Sequence, residues 1–158
     1  MSVIEEEIAG DAAKARVVFR AEGALDGPTH VTLAAREHTI GVDEPAALGG
    51  GDAHANPVEY ALASLASCQA ITYRVWAAKL GIALDNVEVA AEGDIDLHGF
   101  LGLDDGVRPG FTGVRLTVTP SGPESPERYQ QLADAVDAHC PVLDLLTNAT
   151  PVERRLAV

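Results

Sequence analysis

Between Tyr60 and Tyr73 the chain carries no formally charged side chain, and this stretch is bracketed by helix signals on both sides. Asn56 is placed to cap a helix, Pro57 suits its first position, and Glu59 completes a reciprocal capping box. The helix is expected to run to Lys79 or Leu80, where Gly81 supplies the stop. A helix with so few charges needs cover on most of its sides. The uncharged stretch falls short of the roughly 18 to 20 residues that a bilayer span requires, and Arg74 and Lys79 follow at once. It therefore reads as a core helix around which the rest of the chain must be arranged.

The flanking segments read as strands. Ala15–Ala21 and His30–Ala35 are rich in Val, Leu and Phe, and Gly27-Pro28 between them is a turn signal, so an opening hairpin is expected. Glu37–Val42 reads as a third strand, and Asp43–Ala55, with three consecutive glycines, as a loop. After the helix, Val87, Val89, Ala91, Ile95 and Leu97 alternate with polar residues, the period of a half-buried strand. Its expected partner is Phe111–Thr119. The Gly99–Gly110 connection, apolar at Phe100, Leu101 and Leu103, is expected to tuck against something. Ser125-Pro126 opens a second helix to about His139, a short helix follows over Pro141–Leu146, and a last strand is expected over Val152–Val158. The order predicts an α+β fold with antiparallel sheets rather than alternating βαβ units. At 158 residues a single domain over 1–158 is expected, with 1–14 as a disordered N-terminal tail.

Charge narrows the function classes. With 24 acidic and 11 basic residues the net charge is -13, which disfavours nucleic acid and anionic membranes as partners. Met1–Glu7 is acidic and leads into no apolar segment, so no secretory signal is read and a cytoplasmic location is expected. There the two cysteines, Cys68 and Cys140, would be reduced thiols, and a meeting between them would point to redox chemistry rather than a permanent staple.

Each cysteine has an ordinary reading and a chemical one. Cys68, near the middle of the apolar helix, fits the habit of free cysteine to be buried for packing. Cys140 directly precedes Pro141 at an expected helix start, where backbone N–H groups and the helix dipole favour a thiolate. His54, His139, Cys68 and Cys140 lack metal-ligand spacing, so no metal is expected. Ser64 and Asp144 have no nucleophile-elbow frame, Gly49–Asp52 lacks the lysine of a phosphate loop, and no cofactor is expected.

The stretch Asn56-Pro-Val-Glu-Tyr-Ala-Leu-Ala-Ser-Leu-Ala-Ser-Cys68, the Glu92–Leu97 strand and the His139-Cys-Pro-Val142 turn together resemble the OsmC/Ohr family of osmotically inducible and organic hydroperoxide resistance proteins. The likeness extends from Ala15 onward. It implies an OsmC-like α+β fold with antiparallel sheets around the buried central helix, an intertwined homodimer, and two active sites near the dimer interface. It also implies a thiol-dependent peroxidase reducing organic hydroperoxides or hydrogen peroxide. Cys68 would attack the peroxide and become a sulfenic acid, Cys140 would resolve it as a disulfide, and a dithiol reductant would regenerate the pair.

One position departs from that pattern. Peroxidases of the family carry a Glu directly after Asn-Pro that holds an Arg against the reactive thiol, whereas here the slot is Val58 and the acid is Glu59. At 100° per residue Glu59 lies about 180° around the helix from Cys68 and Val58 about 80°, so Glu59 is turned off the cysteine face. The expected site is Cys68, Cys140, Arg36 and Glu59, with Arg36 ranked first as the cation and Arg108 and His139 as the other candidates. Phe100, Leu101 and Trp76 are the expected pocket. The alternative is a non-enzymatic module of the same fold that binds a small apolar ligand and uses its cysteines for packing.

Overall fold

The computed structural model describes residues 3–157 and divides the chain into two compact units, Met1–Pro57 and Val58–Val158. In the first unit, helix α1 (Val3–Gly10) and a short 3₁₀ turn over Ala12–Ala15 lie exposed and are followed by a three-stranded antiparallel sheet. Its strands are β1 (Glu22–Leu25), β2 (Val31–Ala35) and β3 (His38–Val42), in that spatial order.

The opening hairpin forms, but its first strand lies later than Ala15–Ala21. Glu22 pairs with Ala34 and Leu25 with Val31, a register set by the Asp26 amide donating to the His30 carbonyl and by Thr32 donating to the Asp26 carboxylate. Val17, Val18 and Phe19 are left outside the sheet and exposed. The loop after β3 is organised by Asp43, which is buried and accepts from Thr29 Oγ1 (2.6 Å) and from the amides of Glu44, Gly51 and Ala53. Those donors hold its carboxyl down at about 2.

In the second unit α2 (Pro57–Leu80) has the expected bounds, and Gly81 ends it with φ +61, a conformation in which glycine avoids the penalty of a Cβ. The helix is less covered than expected. Leu65, Gln69, Thr72, Tyr73 and Ala77 form one buried stripe, whereas Ile71 is 65% and Val75 46% exposed. A helix with few charges thus leaves part of its surface open to solvent. No helix of the described residues is long and apolar enough to cross a membrane.

Strands β4 (Asn86–Asp94) and β5 (Gly113–Ser121) form an antiparallel ribbon in which Val89 faces Val118 and Asp94 faces Gly113. β4 stops before Ile95 and Leu97, because Asp96 caps a single helical turn, α3 (Leu97–Phe100), by accepting from the His98 amide. Ser125 caps α4 (Pro126–Asp137) by accepting from the Arg128 amide, and Arg128 in turn donates to the Leu80 carbonyl at the end of α2. Leu132 and Val136 of α4 pack with Tyr73, Ala77, Ile82 and Leu84 as the core of this unit. After Cys140 comes α5 (Pro141–Thr147). The expected final strand is absent: residues 151–157 run without strand pairing and Val158 lies outside the described residues. The fold is α+β with antiparallel sheets, as the order of elements predicts.

Candidate active site

The second unit brings its two cysteines together. Cys68 comes from the fourth turn of α2, and Cys140 from the junction where α4 has ended and α5 begins. Leu132 and Val136, wholly buried on α4, anchor the helix that leads into that junction. The two sulfurs lie 3.4 Å apart, with the Cys140 thiol donating toward Cys68. Both are free thiols.

Cys140 is 1% exposed and Cys68 partly exposed. Burial pushes the Cys140 thiol up from its ordinary value, although the Leu143 and Val142 amides at the start of α5 pull the other way, and the facing Cys68 sulfur pushes it further up. The expectation that the helix start would favour a Cys140 thiolate is therefore reversed. Two amide donors at a one-sided helix end do not offset the loss of water around the sulfur. Burial thus makes Cys140 a thiol that holds its proton more firmly than an open cysteine does.

The same unit holds a cleft of about 600 Å³ whose wall includes neither cysteine. Leu65, one turn before Cys68, and Leu143, one turn after Cys140, both line it, together with Phe111, Leu116 and Leu146. Arg108 is the only charged side chain among the described residues of its wall. The Gly99–Gly110 connection delivers that arginine. A Cβ at Gly99 would meet the Val107 carbonyl at 2.5 Å and the Arg108 carbonyl at 2.7 Å, so only glycine lets the two arms of the loop close.

The other expected residues fall elsewhere. Phe100 and Leu101 are exposed on α3 and after it, and Trp76 stacks on His139 with ring centroids 4.0 Å apart, so none of the three lines the cleft. His139 is further held by its Nδ1, which donates to the Ala135 carbonyl at 2.7 Å. Arg36 is not in a strand. Ala35 pairs with His38, which leaves Arg36 and Glu37 as a two-residue turn, and Arg36 takes φ +56 there and is exposed. Glu59 sits in the first turn of α2 and, with Leu62, Ala63 and Ala66, lines a separate shallow depression on another face of the helix. The cleft walls supplied by α5, Leu143 and Leu146, were not anticipated. Their i, i+3 spacing directly after Cys140-Pro141 is the signal that would have found them.

Comparison with known proteins agrees with this fold. The chain is similar in structure to an OsmC-like protein from Mycoplasma pneumoniae, with a TM-score of 0.72 and 18% identity over 83% of this chain and 88% of that one. It is also similar to an organic hydroperoxide resistance protein OsmC from Legionella pneumophila, described as a predicted redox protein, with a TM-score of 0.64 and 20% identity over 82% of this chain and 89% of that one. An organic hydroperoxide resistance protein from Elizabethkingia anophelis gives a TM-score of 0.64 and 20% identity, covering 82% and 87% of the two chains. No curated protein matches the chain. The OsmC-like protein family model matches residues 49–155, which takes in α2, both cysteines, the ribbon and the cleft, and the chain belongs to that family.

Proposed function

We propose that this protein is a cysteine-based peroxidase that reduces organic hydroperoxides. The observation that supports this reading above others is the 3.4 Å approach of Cys68 and Cys140, in the unit whose apolar cleft is walled by Leu65 of α2 and Leu143 of α5. Cys68 is the more exposed thiol and so the one that a hydroperoxide reaches, whereas Cys140 is buried and its thiol is pushed up by burial. The Cys68 thiolate attacks the outer oxygen of the hydroperoxide. The O–O bond breaks with its electron pair going to the inner oxygen, which takes a proton from solvent and departs as an alcohol, and Cys68 becomes a sulfenic acid. Cys140 then gives up its proton, its sulfur bonds to Cys68, and the sulfenic oxygen leaves as water. Closing the gap from 3.4 Å to a disulfide needs a movement of roughly 1.3 Å. A dithiol reductant restores both thiols, in keeping with a reducing cytoplasm.

The apolar lining suits the carbon body of an organic hydroperoxide better than hydrogen peroxide. Arg108, in the cleft wall, is the first candidate for the cation that favours the Cys68 thiolate, and Arg36 the second. Glu59, in the first turn of α2, acts in this reading as a helix-end residue. The working unit is a homodimer. Ser64, Ser67, Ile71 and Val75 make an exposed, uncharged stripe at i, i+3, i+7 and i+11 on α2, and a second copy of the same helix would cover it.

The reading is tested by consumption of tert-butyl hydroperoxide with dithiothreitol as reductant. Wild type is expected to turn over, and Cys68→Ser to show only the uncatalysed background. Wild-type protein that does no better than background contradicts the proposal.

A further inference from the structure

Two free thiols 3.4 Å apart can hold a single atom between them. At about 2.3 Å from each sulfur, the length of a zinc–thiolate bond, such an atom would meet the two at an angle of about 95°. A tetrahedral ion at that bond length needs its sulfurs about 3.8 Å apart, and a linear one about 4.6 Å. So narrow an angle belongs instead to a pyramidal main-group centre that carries a lone pair. The surroundings of the pair lead to the same answer. Among the described residues no group of three or more His, Cys, Asp or Glu side chains is placed to hold a metal ion, so the pair has no further ligands to offer. Metal ions also bind thiolates, and burial pushes the Cys140 thiol up. A centre that reacts with protonated thiols and brings its own third substituent meets neither obstacle. The pair is also set in advance: Cys68 is partly exposed and open to approach, Cys140 is 1% exposed, and Tyr73, Ala77, Leu132 and Val136 hold α2 against the helix that leads to Cys140.

We propose that Cys68 and Cys140 together capture trivalent organoarsenicals of the form R–As=O, with arsenic bonded to both sulfurs and keeping its organic group. Thiol sulfur is a soft ligand and suits so soft an acceptor. The exposed Cys68 sulfur bonds first and Cys140 closes the bridge. In the whole step the As=O bond and two S–H bonds break, two As–S bonds form, and the oxygen leaves with both thiol protons as water. Arsenic stays trivalent and neither sulfur is oxidised, so the step needs no oxidant or reductant. Capture occupies both thiols at once, and a small dithiol reverses it by exchange. The capture itself needs only the reduced pair, whereas its consequence, a reversible block of hydroperoxide turnover, rests on the peroxidase reading.

The test adds phenylarsine oxide to the reduced full chain, freed of small thiols, and to Cys68→Ser and Cys140→Ser, with intact-mass spectrometry, titration of free thiols and the thermal midpoint as readouts. Wild type is expected to gain one phenylarsine oxide less one water per chain and to lose both thiols, and 2,3-dimercaptopropanol should restore them. Each single-cysteine variant should bind at least about 100-fold more weakly, because the second bond is no longer intramolecular. The midpoint of wild type should rise with reagent concentration, since the preset pair binds better than an unfolded chain in which the two sulfurs are 72 positions apart. An excess of zinc ion should leave arsenical uptake unchanged. Two arsenicals per wild-type chain, or undiminished binding by either variant, overturns the inference by showing the sulfurs acting singly. A single adduct with an unchanged or lowered midpoint also overturns it, by assigning capture to the unfolded chain, and protection of both thiols by zinc overturns the choice of centre. The predicted adduct in a protein that consumes no tert-butyl hydroperoxide upholds the inference and overturns the peroxidase reading alone.

Discussion

The Cys140 thiol lies 3.4 Å from the Cys68 sulfur although the two residues are 72 positions apart in the chain. Nothing local brings them together. Cys68 is carried by α2, Cys140 by the junction between α4 and α5, and the Leu132, Val136, Tyr73 and Ala77 contacts that seal the core of this unit hold α2 against the helix leading into that junction.

Oxidation of the pair should stabilise the fold. A cross-link closing a loop of that length removes unfolded-state freedom worth about 4 kcal/mol at most, so the oxidised protein is expected to melt several degrees above the reduced one. Thermal unfolding with and without dithiothreitol measures the difference, and Cys140→Ser should show none. Equal midpoints in the two redox states of wild type would mean that no such cross-link forms.

Alkaline pH should weaken the reduced protein through Cys140. Its folded-state value is raised above the ordinary 9.0, chiefly by burial, so the native state holds the proton more tightly than the unfolded chain does. The stability this contributes is fully present below about pH 9 and is lost as pH rises through the folded-state value. Denaturant titrations from neutral pH to above pH 9 should show a steeper decline in wild type than in Cys140→Ser. Parallel curves would place the sulfur in a better-solvated setting than its burial indicates.

The two arginine candidates are separable by substitution. Arg108 lines the cleft, whereas Arg36 occupies an exposed turn, so Arg108→Ala should slow the reaction of Cys68 with hydroperoxide about tenfold more than Arg36→Ala does. The rate of thiol loss over a range of pH reads the effect directly. The opposite ranking would return Arg36 to first place.

Gly99→Ala is expected to destabilise the second unit by about 1 to 3 kcal/mol, because its Cβ would press on the Val107 and Arg108 carbonyls. Urea unfolding gives the magnitude. The same substitution should slow hydroperoxide reduction by displacing Arg108 from the cleft wall, whereas Gly106→Ala, where the nearest atom is a flexible Asp104 carboxylate oxygen at 3.1 Å, should do neither.

Much of this arrangement was legible in the sequence where local chemistry and global structure agree. Asn56-Pro57 and Gly81 mark the ends of α2 because N- and C-terminal backbone demands are met by a few residue types. The β4–β5 ribbon and α4 follow from alternation and from Ser125-Pro126 in the same way. The failures share a different cause. Val17–Phe19 and Val152 have strand-like composition but find no strand partner among the described residues, and composition carries no information about partners. The uncharged Tyr60–Tyr73 stretch of α2 suggested burial on most sides, whereas Ile71 and, just beyond it, Val75 stand open, because charge patterning records what a helix avoids but not which molecule covers it. At the site, the pairing of Cys68 with Cys140 was accessible only through the family resemblance. The cleft was misassigned to Phe100, Leu101 and Trp76 because its walls come from four separate elements.

The most direct test of the central claim is a count of free thiols by intact-mass spectrometry after one equivalent of an organic hydroperoxide is added to reduced protein. Wild type is expected to lose both thiols per chain and two mass units as a single intramolecular disulfide. Cys140→Ser should lose one thiol and gain one oxygen, and Cys68→Ser should remain unchanged. Retention of both thiols in wild type, or oxidation of Cys140 in the absence of Cys68, would contradict the assignment of Cys68 as nucleophile and Cys140 as its resolving partner.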